Sequence, residues 1–242
     1  MNPEEYENLD RVEKLHWYYA GKREIVRHWI GRTSGIHPEM HLLDCGAGSG
    51  AFAVSMVPDM DVTAMDDHEE SLDLLNRRLP KEHILNGSCT AIPLPDFSAD
   101  IVTALDVLEH IPDHHLAAGE MIRVLKPGGR IIVTVPAMMC LWSDWDVSLH
   151  HQRRYSKQSL LAAFAGQPCQ IEHCAYINTF AFPLVWLARK ARAVGVGKNM
   201  RAEDRIPDAL INWTLKKAFV KPACSGWQLP FGVGLLLVGK RL

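Results

Sequence analysis

The sequence predicts a doubly wound α/β sheet, and three observations carry that reading. Short apolar runs alternate along the chain with segments of helical period, the pattern of strands joined through helices. A glycine-rich turn, Asp44-Cys45-Gly46-Ala47-Gly48-Ser49-Gly50, leaves the first apolar run directly and opens a helical segment. No internal repeat or low-complexity tract offers a competing architecture.

The elements follow in order. A helical region covers roughly 3–31, and strands lie near 40–45, 61–66, 82–86, 100–105 and 130–135, with two more near 169–177 and 233–240. Leu72, Leu75 and Leu79 share one face of a helix over 68–79. Ala117, Met121, Val124 and Leu125 do the same over 113–125, where Asp113 is placed to cap the first turn. That helix stops at Lys126-Pro127-Gly128-Gly129, because proline cannot continue it and glycine supplies a positive φ. Between the last two strands lie two helical patterns, 179–194 and 205–221. Residues 179–222 hold nine Lys/Arg against three Asp/Glu, a local charge of +6, so the rest of a chain of net charge −2 carries −8. This basic stretch, 178–230, reads as an insertion in a single domain spanning 1–242. The core is expected at 36–177 and 231–242, and a helical cap at 1–35.

Composition bounds the function. With 48% hydrophobic and 22% charged residues in 242, the chain is globular rather than disordered. A net charge of −2 gives no general attraction to nucleic acid. The six cysteines never form CxxC, so neither a zinc knuckle nor a disulfide framework is signalled. The start, Met-Asn-Pro-Glu-Glu, lacks the order of a signal peptide, and the longest apolar run, Phe180 to Ala188, is interrupted by Pro183. A cytoplasmic location is expected, with peripheral contact at the inner membrane face as an addition.

The glycine turn carries the chemistry. Between a strand and a helix, such a turn lets a ligand approach the backbone and meet helix N–H groups. The spacing is GxGxG, not the GxGxxG of pyrophosphate binders, and Asp44 precedes it. A carboxylate there repels a pyrophosphate and suits an ammonium, which disfavours an NAD(P)-dependent oxidoreductase. Asp66 ends the second strand, where a ribose diol can meet its carboxylate. Asp106 ends the fourth. Three acids at three strand ends, with a sulfonium to hold, describe S-adenosylmethionine.

The chain here resembles the class I S-adenosylmethionine-dependent methyltransferases. LLDCGAGSG (42–50), VTAMD (62–66), AIPLPD (91–96), DIVTALDVLEHI (100–111) and RVLKPGGRIIVTVP (123–136) stand in that family's order. The resemblance implies a Rossmann-like sheet of order 3-2-1-4-5-7-6 with strand seven antiparallel. It also implies cofactor contacts at Asp44, Gly46, Ala47, Gly48, Gly50, Asp66, Asp67, Ser88, Cys89, Leu105, Asp106 and His110. Ser88 stands where many members place an acid near the adenine. Outside this core, LHWYYAGKR (15–23) and SDWDVSLHHQRRYS (143–156) are similar to the HWWFxxR and D…HxRxY segments of a bacterial subgroup associated with surface-polysaccharide and lipid-linked pathways. Tyr18 and Tyr19 replace its Trp and Phe, and Lys22 replaces its Arg.

On the acceptor side, methyl transfer asks mainly for in-line positioning. A base is needed only for a hydroxyl or a cationic amine. His151 and His110 are the candidate catalytic residues, and Trp142, Trp145, Arg153 and Tyr155 the candidate substrate contacts, Arg153 and Tyr155 serving alternatively to clamp a helix. Trp17, Tyr18 and Tyr19 either lid the cofactor or pack on the sheet. His150 and His151 have no visible partners for a metal, so none is expected. A small-molecule, glycan or lipid-linked acceptor is favoured over protein or nucleic acid. The insertion is expected to cover the acceptor site and, through 178–221, to touch a membrane surface. A cofactor-binding scaffold without turnover is the rival of a different class.

Overall fold

In the computed structural model, residues 12–193 and 206–242 are described. The strands are β1 (His41–Cys45), β2 (Asp61–Asp66), β3 (Ile84–Asn86), β4 (Ala99–Leu105), β5 (Leu125–Pro136), β6 (Cys169–Ile177) and β7 (Gly234–Arg241). They form one sheet in the order β3-β2-β1-β4-β5-β7-β6, as the sequence led us to expect. The first five pair in parallel, and β7 runs antiparallel to both β5 and β6. Strands β1, β2, β4, β5 and β6 therefore end at one edge, where ligands of open α/β sheets bind.

The helices are α1 (Trp17–Thr33), α2 (Ala51–Met56), α3 (Glu69–Arg78), α4 (His114–Val124), α5 (Asp144–Ser148), α6 (Lys157–Ala163), α7 (Phe182–Ala193) and α8 (Ala209–Cys224). Successive strand residues point to opposite faces, and both faces are apolar. Leu42, Ile101, Ile132 and Leu236 meet Ile25, Ile30, Phe52, Leu75 and Phe219 on one side. Leu43, Val102, Val133 and Leu237 meet Met121, Ile122 and Leu160 on the other. Asp113 caps α4, accepting from the Leu116 N–H at 3.0 Å.

Three expectations change. Strand β5 begins at Leu125 rather than 130, because the Lys126–Gly129 turn is absorbed as a bulge between the Ala99–Leu125 and Ile101–Arg130 pairs. The N-terminal helical region is broken at His16, whose extended backbone (ψ 133°) and ring nitrogen cap α1; the rest of the prediction, over 3–11, lies outside the described residues. The described parts of the insertion do not form one cover over the sheet edge. Its second helix, α8, turns Phe219, Val220 and Ala223 into the α1 face of the core. The Trp29 indole donates to the Ala223 carbonyl at 3.2 Å, and Trp17 and Tyr18 pack on Phe219. Of its two described helices, α7 is the one beside the loop after β5, where Arg189 donates to the Leu141 carbonyl. Residues 194–205, in the middle of the insertion, lie outside the described residues.

Candidate functional site

The glycine turn sits at the sheet edge with three positive φ values: Gly46 at 63°, Gly48 at 55° and Gly50 at 74°. A side chain at Gly46 would be strained by that φ and would also run into Val107, 2.7 Å from its Cβ. At Gly48 a Cβ would meet nothing within 4 Å. The turn is tight behind and open in front, which is the shape a ligand needs to reach backbone.

Asp66 braces this turn. One carboxylate oxygen accepts from the Gly48 N–H at 2.9 Å and the other from the His68 N–H at 3.0 Å, which ties the turn to the start of α3. A carboxylate has about four acceptor positions, so capacity for a diol remains. Asp67 is exposed and pairs with His68 at 2.9 Å. Asp44 is buried and accepts from the Thr103 hydroxyl at 2.7 Å. Burial pushes its pKa up to about 7, the Thr103 bond opposes this, and the Asp66 and Glu13 carboxylates add to it. A cation placed here would restore the charged form. Glu13, which sequence reasoning missed, accepts from the Ser49 hydroxyl and is itself raised by burial.

Asp106 stands just beyond β4 in the left-handed region, φ 57°. It accepts from the Thr134 hydroxyl at 3.0 Å and pairs with the buried Lys22 ammonium from α1. Burial alone would raise its pKa; the Lys22 charge reverses this and holds it below the usual carboxylate range. Leu105 is half-buried beside it. Ser88, half-buried, bonds to Thr90 at 3.1 Å, and Cys89 is buried with its thiol against Cys45.

The loops expected to meet the acceptor centre on Asp146, which sequence reasoning also missed. Asp146 lies in the first turn of α5, wholly buried, in a capping box with Ser143. It accepts from Arg154 Nε at 2.7 Å, His151 Nδ1 at 3.1 Å and Arg189 Nη1 at 2.7 Å. Burial would raise its pKa, but these donors hold it well below the ordinary value. The His151 ring stands edge-on to His110, with centroids 4.7 Å apart. Burial and His151 bring the His110 pKa down to about 4. Glu109, fully buried beside them, has a pKa raised well above normal by burial and by Asp106. The expectation that His151 has no ligand-type neighbours is thus corrected, because the β4 and β5 loops converge and gather Glu109, His110 and His151.

Arg153 and Tyr155, expected either to touch the substrate or to clamp a helix, are both engaged in structural bonds. Tyr155 is core: it is fully buried, donates to the Leu108 carbonyl at 3.1 Å and bonds His114 at 2.6 Å. Burial lifts its pKa to about 12. Arg153 spends its guanidinium on the Ile111 and Pro112 carbonyls, at 2.6 and 3.0 Å, and so clamps the loop before α4. Trp142 and Trp145 are half-buried on the loop that carries His151, and His150 is exposed. The signal for Asp146 was present in the sequence, as an acid five residues before His151 on the same loop. Lys22 and Arg189 had no local signal, since their partners lie far along the chain on other elements, whereas Arg154 meets Asp146 across only 8 positions.

The chain is similar to known proteins. A family described as "Methyltransferase domain" matches residues 43–133. A "Probable S-adenosylmethionine-dependent methyltransferase" of Mycolicibacterium smegmatis is 36% identical over 154 residues, 62% of this chain and 57% of that protein. The malonyl-[acyl-carrier protein] O-methyltransferase of Serratia marcescens is 33% identical over 138 residues, 54% of each. The chain spans about half the length of these curated relatives. Among solved structures, geranyl diphosphate C-methyltransferase from Streptomyces coelicolor, in complex with Mg2+, geranyl-S-thiolodiphosphate and S-adenosyl-L-homocysteine, superposes with TM-score 0.62. It is 16% identical and covers 93% of this chain and 76% of its own, which is a likeness of fold.

Proposed function

We propose that the protein is a class I S-adenosylmethionine-dependent methyltransferase that methylates a small-molecule, glycan or lipid-linked acceptor at the edge of β1, β2, β4 and β5; the match of residues 43–133 to a methyltransferase domain, the 36% identical relative and the likeness of fold support the reading. The observation that carries the reading is the open cradle at Gly48 between the buried carboxyls of Asp44 and Asp66. That donor and acceptor set fits S-adenosylmethionine, which supplies an electrophilic methyl on a sulfonium when bound. Gly46, Ala47, Gly48 and Gly50 let it approach the backbone, Asp44 offers the counter-charge for its ammonium, and Asp66 accepts from its ribose hydroxyls. Asp106, fixed by Lys22 and Thr134, gives the methyl end a stationary negative boundary. The acceptor's nucleophilic atom belongs at the face of His110 and His151, with Trp142 and Trp145 beside it. Calorimetric titration with S-adenosylmethionine and S-adenosylhomocysteine tests the reading: both should bind, and a protein that binds neither, or binds NAD instead, would overturn it.

A lipid-carried acceptor is favoured by the exposed faces of the insertion. Leu184 and Leu187 on α7, and Leu210 and Trp213 on α8, are more than half exposed. Lys190 stands over the Trp186 ring and Lys217 over the Trp213 ring, each at 5.9 Å. Apolar and aromatic groups beside lysines suit the interface of an anionic bilayer. No helix among the described residues is long and apolar enough to cross a membrane.

A further inference from the structure

Glu109 has no role in the scheme above, and its surroundings ask for one. The residue is fully buried, and neither carboxylate oxygen has a hydrogen-bond partner. Buried polar groups are nearly always satisfied, so an orphaned pair of oxygens points to something that belongs beside them. One ligand atom of Glu109 lies within 4.8 Å of one from each of His110 and His151, and those two lie equally close to each other. The His151 ring is held on one side, because its Nδ1 meets Asp146 Oδ1 at 3.1 Å, and that bond leaves Nε2 as the ring nitrogen available to a ligand. A carboxylate behind an imidazole is the usual support of a metal-ligating histidine, fixing its tautomer and raising its basicity. Asp146 is in turn held by Arg154 and Arg189.

We propose that Glu109, His110 and His151 bind a divalent transition-metal ion of the zinc type, with Asp146 as the outer carboxylate, on the acceptor side of the site. Two imidazoles and one carboxylate are a sufficient protein donor set for such an ion and leave a coordination position open. Bonds of about 2.0–2.2 Å would be reached by small side-chain rotations, since all three residues stand on loops at one edge of the sheet. The open position then takes an oxygen of the acceptor. This last role rests on the methyltransferase reading, whereas binding of the ion does not.

Cobalt(II) titration of the full chain, stripped beforehand with a chelator, separates the two. The expected result is the intense visible absorption of four- or five-coordinate cobalt, displaced by one equivalent of zinc. Glu109→Gln, His110→Ala and His151→Ala should each weaken cobalt binding at least about tenfold, and Asp146→Asn about 10–100-fold. His68→Ala, in the Asp66–Asp67–His68 group where Asp67 and His68 are exposed, should leave the spectrum unchanged. S-adenosylhomocysteine binding by the same variants shows that they are folded. If the wild-type chain gives only the weak spectrum of hydrated cobalt, or a spectrum indifferent to all three ligand substitutions, the metal site is overturned and His110 and His151 remain free imidazoles. Failure to bind S-adenosylhomocysteine alongside a normal cobalt spectrum would instead overturn the cofactor reading alone.

Discussion

At the scale of single residues, the molecule holds three carboxyls of one chemical type in two opposite electrostatic states. Asp106 is kept charged by Lys22, Asp146 by two arginines and a histidine, and Asp44 is left near neutrality by burial. Asp44 therefore has a testable sign. Its folded pKa is raised, so its contribution to the stability of the ligand-free protein is full below the ordinary carboxyl range and is lost as pH rises through about 7. A bound ammonium reverses the preference. Affinity for S-adenosylmethionine should rise with pH up to about 7, approaching tenfold per unit, and Asp44→Asn should flatten that slope in calorimetric titrations. Asp66 gives a second test. Asp66→Ala removes a charged acceptor from the ribose and should weaken S-adenosylmethionine binding by about 1.5–3 kcal/mol. It also frees the Gly48 and His68 amides, so chemical denaturation should show a loss of stability in the absence of ligand. Wild-type affinity in the folded variant would exclude Asp66 from the ribose.

At the scale of elements, the insertion divides into two helices with different duties. Helix α8 is a structural partner of α1, and the close approach is set at Gly21, where a Cβ would stand 2.8 Å from the Phe219 ring. Gly21→Ala should therefore cost roughly 1–3 kcal/mol by overpacking, despite alanine's better helix propensity, in a urea melt. Helix α7 docks through Arg189 on Ser143 and Asp146, so it reaches His151 through a shared carboxylate. Arg189→Met should cost about 1.5–3 kcal/mol of local stability. Hydrogen exchange should then accelerate over 139–146 and 182–193, while S-adenosylhomocysteine binding stays intact. Uniform exchange with the wild-type protein would show that the Arg189 contact does not hold α7.

At the scale of the whole molecule, the charge is uneven in a way that the net value hides. A chain of net charge −2 carries +6 over 179–222, and the helices on either side of 194–205 expose Trp186, Leu187, Leu210 and Trp213. Binding to anionic vesicles should exceed binding to neutral ones. Lys190→Glu with Lys217→Glu should reduce it at least fivefold for each lysine, about 1 kcal/mol apiece. Co-sedimentation reads both comparisons, and equal, negligible pelleting with the two lipid compositions would remove the membrane contact.

The sequence by itself determined the sheet, its order through the family resemblance, and the glycine turn and acids at the strand ends. These are written locally: the strand periodicity, the GxGxG spacing and the acids at strand ends are each complete within a few residues of one segment. Asp113 as a cap and the stop after α4 belong to the same class. The tertiary structure decided what surrounds His151. His151 alone is an ambiguous loop histidine. It becomes an oriented imidazole only when Asp146 lies behind it and His110 and Glu109 arrive from the loop after β4. Tyr155, four residues further on, falls into the core instead, because its hydroxyl finds the Leu108 carbonyl there. Lys22 finds Asp106 across 84 positions and Arg189 finds Asp146 across 43. Such partners are chosen by the packing of apolar faces far from either residue. That packing is a property of the folded chain, so the pairings it makes leave no local pattern to read.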